Sequence, residues 1–310
     1  MSILKSGLCV ALNDEVLIKL RSNCIRTNVD FLCKDPEQIV NITGIAYKDV
    51  ISIRNIILAK YSSMIVDGGD FYHSIIECST ILSSGIKSLD EILDGGLYSR
   101  EVTEIAGDIA SGKTQICLCT CGSTLTRGIQ TVIYIDTGAG FSARRILQLT
   151  PNCSENFVSR VHVFDVTTIY ELLSVLDKIL ALCKDGKLDF YKRLNLLILD
   201  NVASVVYPCL SNGNIVESQG LISLLSQKLK YIATGLSVAV LVTNNLVKGE
   251  HGKKVASLGR VWLNVPNVRL TIEQNDQYYK TTRKVMVTKN NRGKIGGSCT
   301  INFTEHGPIQ

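Results

Sequence analysis

A chain of 310 residues with 45 % apolar and 20 % charged side chains has the composition of an ordinary globular protein with a real core, long enough for one large domain or a small one joined to a medium one. No apolar run reaches the roughly 18 residues a membrane span needs, and the opening MSILKSGLCVALNDEV, broken by Asn13, Asp14 and Glu15, makes a poor signal peptide, so a soluble intracellular protein with no membrane partner is expected. The net charge of +5 is unevenly spread: residues 1–70 balance eight basic against eight acidic side chains, whereas from Gln277 onward Lys280, Arg283, Lys284, Lys289, Arg292 and Lys294 face only Glu305, an excess that fits either contact with a polyanion or lysine-guarded strand edges.

Residues 1–65 read as short helices. NDEVLIKLRSNC places Val16, Leu17 and Leu20 at helical spacing behind a cap at Asn13 or Asp14. DPEQIVNI opens with Asp35 as cap and Pro36 at the first helical position. AYKDVISIRNIILAKYSS predicts a long amphipathic helix with Val50, Ile53, Ile57 and Leu58 inward. Gly44 lies between the last two helices, as in a helix-hairpin-helix turn. With the charge here neutral, packing or a protein contact is favoured over a DNA backbone. Residues 66–82 begin with VDGGDFYHS, in which Gly68 and Gly69 break the helix, and read as a linker.

From Ser83 strands alternate with helices. REVTEIAG is a strand followed by a helix over 112–126, and QTVIYID a strand followed by a helix near 142–149. RVHVFDV precedes a helix near 169–183, LNLLILD one near 217–233, and SVAVLVT a basic loop. These strands are apolar throughout, as in a parallel sheet covered on both faces. Segments 267–273, 283–289 and 298–303 look like antiparallel strands at one end. The expected architecture is therefore an α/β core over 83–310, mostly parallel sheet with helices on both faces, behind an all-helical domain over 1–65. The chain has 11 cysteines. Those in CLCTC, at Cys117, Cys119 and Cys121, fall on the predicted helix without a His or second Cys pair to complete a zinc site, and read as buried apolar residues.

The chemistry is concentrated in GDIASGKT. Gly107, Asp108, Ile109, Ala110, Ser111, Gly112, Lys113 and Thr114 match a full phosphate-binding loop. Its glycines let the backbone wrap close to phosphates. Lys113 would reach the β- and γ-phosphates of ATP, and the Thr114 hydroxyl would hold Mg²⁺. A strand precedes the loop and a helix follows, so the helix N-terminus adds attraction for an anion. The strand LNLLILD ends in Asp200, a second magnesium position two β-α units later.

ILSSGIKSLDEILDGGLYSREVTEIAGDIASGKTQICL, VIYIDTGAGF, LLILDNVASVV and LVTNNLV, in that order, resemble the core of the eukaryotic RecA-type recombinases, a family of P-loop ATPases. STILSSG, GLYSREVTEIAG and LGRVWLNVPNVR bring the resemblance closest to the D-type paralogues of the Rad recombinase, over essentially the whole chain. The resemblance implies a nuclear protein of homologous-recombination repair. It would assemble with other recombinase paralogues and help load the main recombinase on single-stranded or branched DNA. The C-type paralogue would contact the ATPase core. The short X-ray-repair paralogue would contact the N-terminal helices.

Several positions depart from the family pattern. Family members carry a Glu after YIDT that orients or deprotonates the attacking water. Here Gly138 stands in its place, and no carboxylate follows until Glu155. General-base help is typically worth about 10²–10⁴-fold, so the expectation is a weak DNA-stimulated ATPase. The alternatives are a nucleotide-gated scaffold without catalysis and an autonomous strand-exchange recombinase. The family sensor Gln is replaced by Asn245, one methylene shorter, beside a retained Asn244. The first DNA loop, between Asp200 and residue 217, has no Lys or Arg. The second holds Lys248, Lys253, Lys254 and Arg260 against Glu250, which suggests weak DNA contact through phosphates. Trp262 would either stack on a base or lie in the core. The family's Phe-x-x-Ala linker strand, which docks on the next subunit, has its nearest match in Phe71-Tyr72-His73-Ser74. A flexible tether is the alternative there.

Overall fold

The computed structural model describes residues 3–6, 9, 11–61, 66–150, 155–211, 215–249, 252, 254–274, 281–304 and 307–309. The chain divides into two compact units, Met1–Ser74 and Ile75–Gln310.

The first unit is built from capped helices. α1 (Asp14–Ser22) starts where Asn13 Oδ1 accepts the Val16 N–H at 2.9 Å. α2 (Asn28–Cys33) opens on a reciprocal capping box between Thr27 and Asp30. α3 (Pro36–Thr43) has the Asp35 cap and Pro36 at its first position, as expected, and ends at Gly44 with φ +77°. That left-handed turn is the ordinary end of a helix and is the reason for a glycine there. α4 (Tyr47–Tyr61) buries Val50, Ile53 and Ile57 against Val16, Leu17, Leu20, Phe31 and Ile39. Leu58 does not point inward: it is 44 % exposed. The buried stripe of α4 runs through positions three and four apart, and Leu58 falls beside it.

Within the stretch read as a linker, the expected helix break at Gly68 and Gly69 is corrected. Residues Gly68–Cys78 form α5, and Gly68 and Gly69 begin this helix rather than break one. Asp67 Oδ1 accepts the Gly69 N–H at 2.8 Å. A glycine costs little in a first turn, where N–H groups have no intrahelical partner in any case. No residue of α5 is buried.

The second unit begins with a small antiparallel pair, β1 (Ile81–Leu82) and β2 (Leu97–Tyr98), around α6 (Lys87–Ile92). The alternation then follows in order: β3 (Val102–Gly107), α7 (Lys113–Thr126), β4 (Thr131–Asp136), α8 (Ala143–Leu149), β5 (Val161–Asp165), α9 (Ile169–Asp185), α10 (Asp189–Lys192), β6 (Leu194–Asp200), α11 (Val202–Ser211), α12 (Ile215–Leu236) and β7 (Ala239–Lys248). The chain ends with β8 (Lys254–Ala256), α13 (Gly259–Leu263), β9 (Val268–Gln274), β10 (Thr282–Asn290), β11 (Ser298–Thr304) and β12 (Gly307–Ile309). The main sheet runs β12-β11-β10-β9-β3-β7-β6-β4-β5, and β8 hangs off β7. Pairing is parallel from β9 through β5 and antiparallel from β9 to β12.

The two sheet faces carry separate cores, and successive strand residues alternate between them. Tyr134 and Ile198 belong to one core, Ile133, Ile135, Leu197 and Leu199 to the other. This is why the strands read as unbroken apolar runs. Cys117, Cys119 and Cys121 are buried within the first core, and no metal-binding cluster occurs among the described residues. No described helix is long and apolar enough to cross a membrane.

Candidate nucleotide site

The strand order brings the carboxyl ends of β3, β7, β6 and β4 to one edge of the sheet, where open parallel sheets hold their ligands. Register sets the neighbours: Gly107 lies beside Asn245, and Asp136 beside Asp200. Residues far apart in sequence therefore meet around the phosphate loop.

The loop is a formed cradle. Gly112 has φ +100°, and a Cβ there would sit 2.6 Å from the Phe303 ring of β11. A Cβ on Gly107 would collide with Ser111 Oγ. Lys113 is buried, and its Nζ donates to the carbonyls of Gly107 at 2.8 Å and Asp108 at 2.7 Å. Burial lowers the pKa of this ammonium, and the negative charges of Asp200 and Asp108 oppose that shift. Ser111 Oγ is buried with no hydrogen-bond partner among the described residues.

Asp200 is held by hydroxyls from three elements. Its Oδ2 accepts from Thr114 of α7 at 2.7 Å and from Tyr134 of β4 at 2.9 Å, and its Oδ1 accepts from Thr243 of β7. Burial above all keeps the Tyr134 phenol protonated and therefore a donor. The Cys117 thiol is likewise held protonated, chiefly by burial. Hydroxyl and carboxylate oxygens side by side are the donor set a magnesium ion takes. The orphaned Ser111 hydroxyl and the Lys113 ammonium are groups suited to phosphate oxygens. The residues present thus fit both magnesium and phosphate.

Lys113, Thr114, Gly138, Asp200, Asn201 and Asn245 line a cleft of about 240 Å³ next to the loop. Its carboxylates among the described lining residues are Asp136 and Asp200. Asp136 accepts the N–H groups of Gly138 at 3.1 Å, Gly140 at 3.1 Å and Phe141 at 2.8 Å, and so serves as a turn cap. Asp200 is committed as described. Neither faces the cleft as an unengaged base. Tyr134, Thr243 and Asn201 were not among the residues expected from sequence. Tyr134 and Thr243 carried no signal beyond their places within two apolar strands.

Parts of both segments expected to meet DNA form regular elements. The first contains α11, whose Val202, Ala203, Val205 and Val206 are buried. In the second, β7 extends to Lys248 and pairs back with β8, so that Lys248 faces Lys254 across a hairpin. Lys248 and Arg260 are exposed. Lys254 forms an ion pair with Asp108 of the phosphate loop, and Lys253 lies outside the described residues. Trp262 is fully buried and donates its indole N–H to Glu104 at 2.7 Å, so it is core and not a stacking platform. The basic C-terminal stretch is partly absorbed by the fold. Arg292 pairs with Glu101 at 2.9 Å and lies over the Tyr98 ring, and Lys289 donates to the Leu263 carbonyl. Lys280 lies outside the described residues.

A family model described as RAD51D, N-terminal domain, matches residues 1–60, and one described as Rad51 matches residues 76–261. The chain belongs to the Rad51 family. It is 36 % identical to the cattle DNA repair protein RAD51 homolog 4, over 98 % of this chain and 95 % of that one. The mouse protein of the same name is 33 % identical over 96 % and 93 %. The human DNA repair protein RAD51 homolog 2 is 28 % identical over 90 % and 82 %. Rad51-family membership implies nucleotide binding.

Proposed function

We propose that this Rad51-family chain acts in homologous-recombination repair in the nucleus, as an ATP-binding paralogue that assembles with other recombinase paralogues and promotes recombinase loading on single-stranded DNA. ATP would be held by Gly107–Thr114, with Mg²⁺ on Thr114 and, through water, Asp200. The observation that carries this reading is the joining of Lys113, Thr114 and Asp200 in one cradle, 2.7 Å separating the last two side-chain oxygens. Hydrolysis would be slow, because phosphoryl transfer depends on a positioned water and the cleft presents Gly138 where the resemblance to the family's recombinases implies a glutamate. Exposed Lys248 and Arg260 would supply weak, salt-sensitive DNA contact. The C-type paralogue would meet the ATPase core, and the short X-ray-repair paralogue the N-terminal helices.

The test is calorimetry of Mg-ATP with Lys113→Ala and Thr114→Val, followed by turnover in the assembled complex with only Lys113 changed. Both variants should bind Mg-ATP more weakly while the core stays folded. Unchanged affinity in Lys113→Ala would refute the site.

A further inference from the structure

A second cleft, of about 220 Å³, lies among β8, α13 and the antiparallel strands. Leu246, Val255 and Leu263 give it an apolar wall. Arg269 and Thr271 of β9 and Thr288 of β10 give it a polar one. Arg269 is only 8 % exposed. Its Nε donates to Glu104, and its two Nη groups have no hydrogen-bond partner among the described residues. Leaving such buried donors unmet is costly, so an acceptor belongs beside them. Thr271 and Thr288 share a hydrogen bond at 3.1 Å, and the Thr288 hydroxyl also donates to the Arg269 carbonyl at 3.3 Å. Thr288 thus has an acceptor of its own, and the Thr271 proton is free to turn to a guest. Lys289 adds positive charge nearby. Its ammonium pKa is lowered first by burial and then by Arg269 and Lys230, a crowding of cations that an anion relieves.

We infer that this cleft receives a glutamate side chain of a protein partner, with the carboxylate on Arg269 and Thr271 and the methylenes on the apolar wall. Pockets for small molecules hold roughly 300–1,000 Å³, and this one is smaller, the size of a single side chain. Two Nη groups side by side match the two oxygens of a carboxylate. A phosphate monoester fits less well. It carries about two negative charges and offers the apolar wall nothing. Lys254, in the same cleft, is already paired with Asp108 and feels the charge of Glu273 as well, so little cationic charge is left for a dianion. Val255 and Leu263 are also exposed, and residues flanking the partner's glutamate would cover them.

The experiment follows the Arg269 Nε–H signal by proton–nitrogen NMR in the full chain at neutral pH. The probes are pentanoate, pentanamide, inorganic phosphate and a blocked leucine–glutamate–leucine tripeptide. Removing Arg269 would also break its pair with Glu104, so the variant is Thr271→Val, which keeps that pair. Pentanoate should shift the signal with a Kd of about 1 mM, as befits so small a ligand. Pentanamide, the same shape without the charge, should give no saturable shift. Thr271→Val should weaken pentanoate about tenfold, the loss of one hydrogen bond to a charged group. The tripeptide should bind about tenfold more tightly than pentanoate, through the apolar surface its leucines bury. No shift with pentanoate, an equal response to pentanamide, or full affinity in Thr271→Val each overturns the inference. Phosphate moving the signal more strongly than pentanoate does so too, because the site then selects a different anion. A tripeptide that binds no better than pentanoate refutes the assignment to a protein side chain.

Discussion

Gly138 occupies open space. A Cβ added there meets no atom within 4 Å, and its φ is outside the left-handed region. A larger side chain therefore fits without backbone strain, and the missing carboxylate can be restored. Gly138→Glu should raise ATP turnover tenfold or more with DNA present, within the roughly 10²–10⁴-fold that a general base supplies. The measurement is phosphate release by the purified chain, with Mg-ATP affinity checked in parallel. Unaltered turnover with intact binding would mean that other geometry limits the rate. The sequence showed the vacancy, because the pattern around YIDT is local. It did not show that Asp136 is engaged as a turn cap. That conclusion needs the three N–H groups of residues 138, 140 and 141 folded onto one carboxylate, a turn that spacing alone does not specify.

At the scale of elements, one buried carboxylate ties four segments together. Glu104 of β3 is fully buried and accepts from Asn244 of β7 at 2.7 Å, Trp262 of α13 at 2.7 Å and Arg269 of β9. Breaking such a buried pair leaves Arg269 and two N–H groups without their partner. Glu104→Ala should therefore cost about 3–5 kcal/mol of stability, read as a fall in denaturant midpoint at unchanged slope. A loss well below that range would mean water replaces the carboxylate. The network was not legible beforehand, because Glu104 and Trp262 lie 158 positions apart and no local pattern links them. The parallel strands and the long helices were legible, since continuous apolar runs and 3.6-residue spacing report burial directly. The errors fell where composition favours loops. α5 begins on paired glycines, and α11 contains Pro208 and leads into Asn212-Gly213-Asn214. Both read as irregular because their helical state depends on capping by Asp67 and Asn201.

For the whole molecule the open question is which surface meets which partner, and α5 gives it a physical form. Phe71, Tyr72 and Ile76 are 52 %, 61 % and 53 % exposed, and the helix buries nothing. A helix of 11 residues without tertiary packing is marginal in water. Its apolar side chains would be stabilised by a partner, either as a helix in a groove or, after unwinding, as an added strand. The resemblance to the family's recombinases implies the strand mode in this region, but in the structure Phe71 lies on a helix, so strand addition here would carry the cost of melting α5. Phe71→Glu places a charge on that surface without touching either core. In separate pull-downs with each paralogue it should abolish capture of one and leave the other intact. Retention of both at full strength would assign the contacts to other surfaces of the two units. Hydrogen exchange over residues 68–78 separates the two modes. Complex formation that slows exchange across consecutive residues of α5 fits the helix. Protection of alternate residues marks a strand paired along one edge.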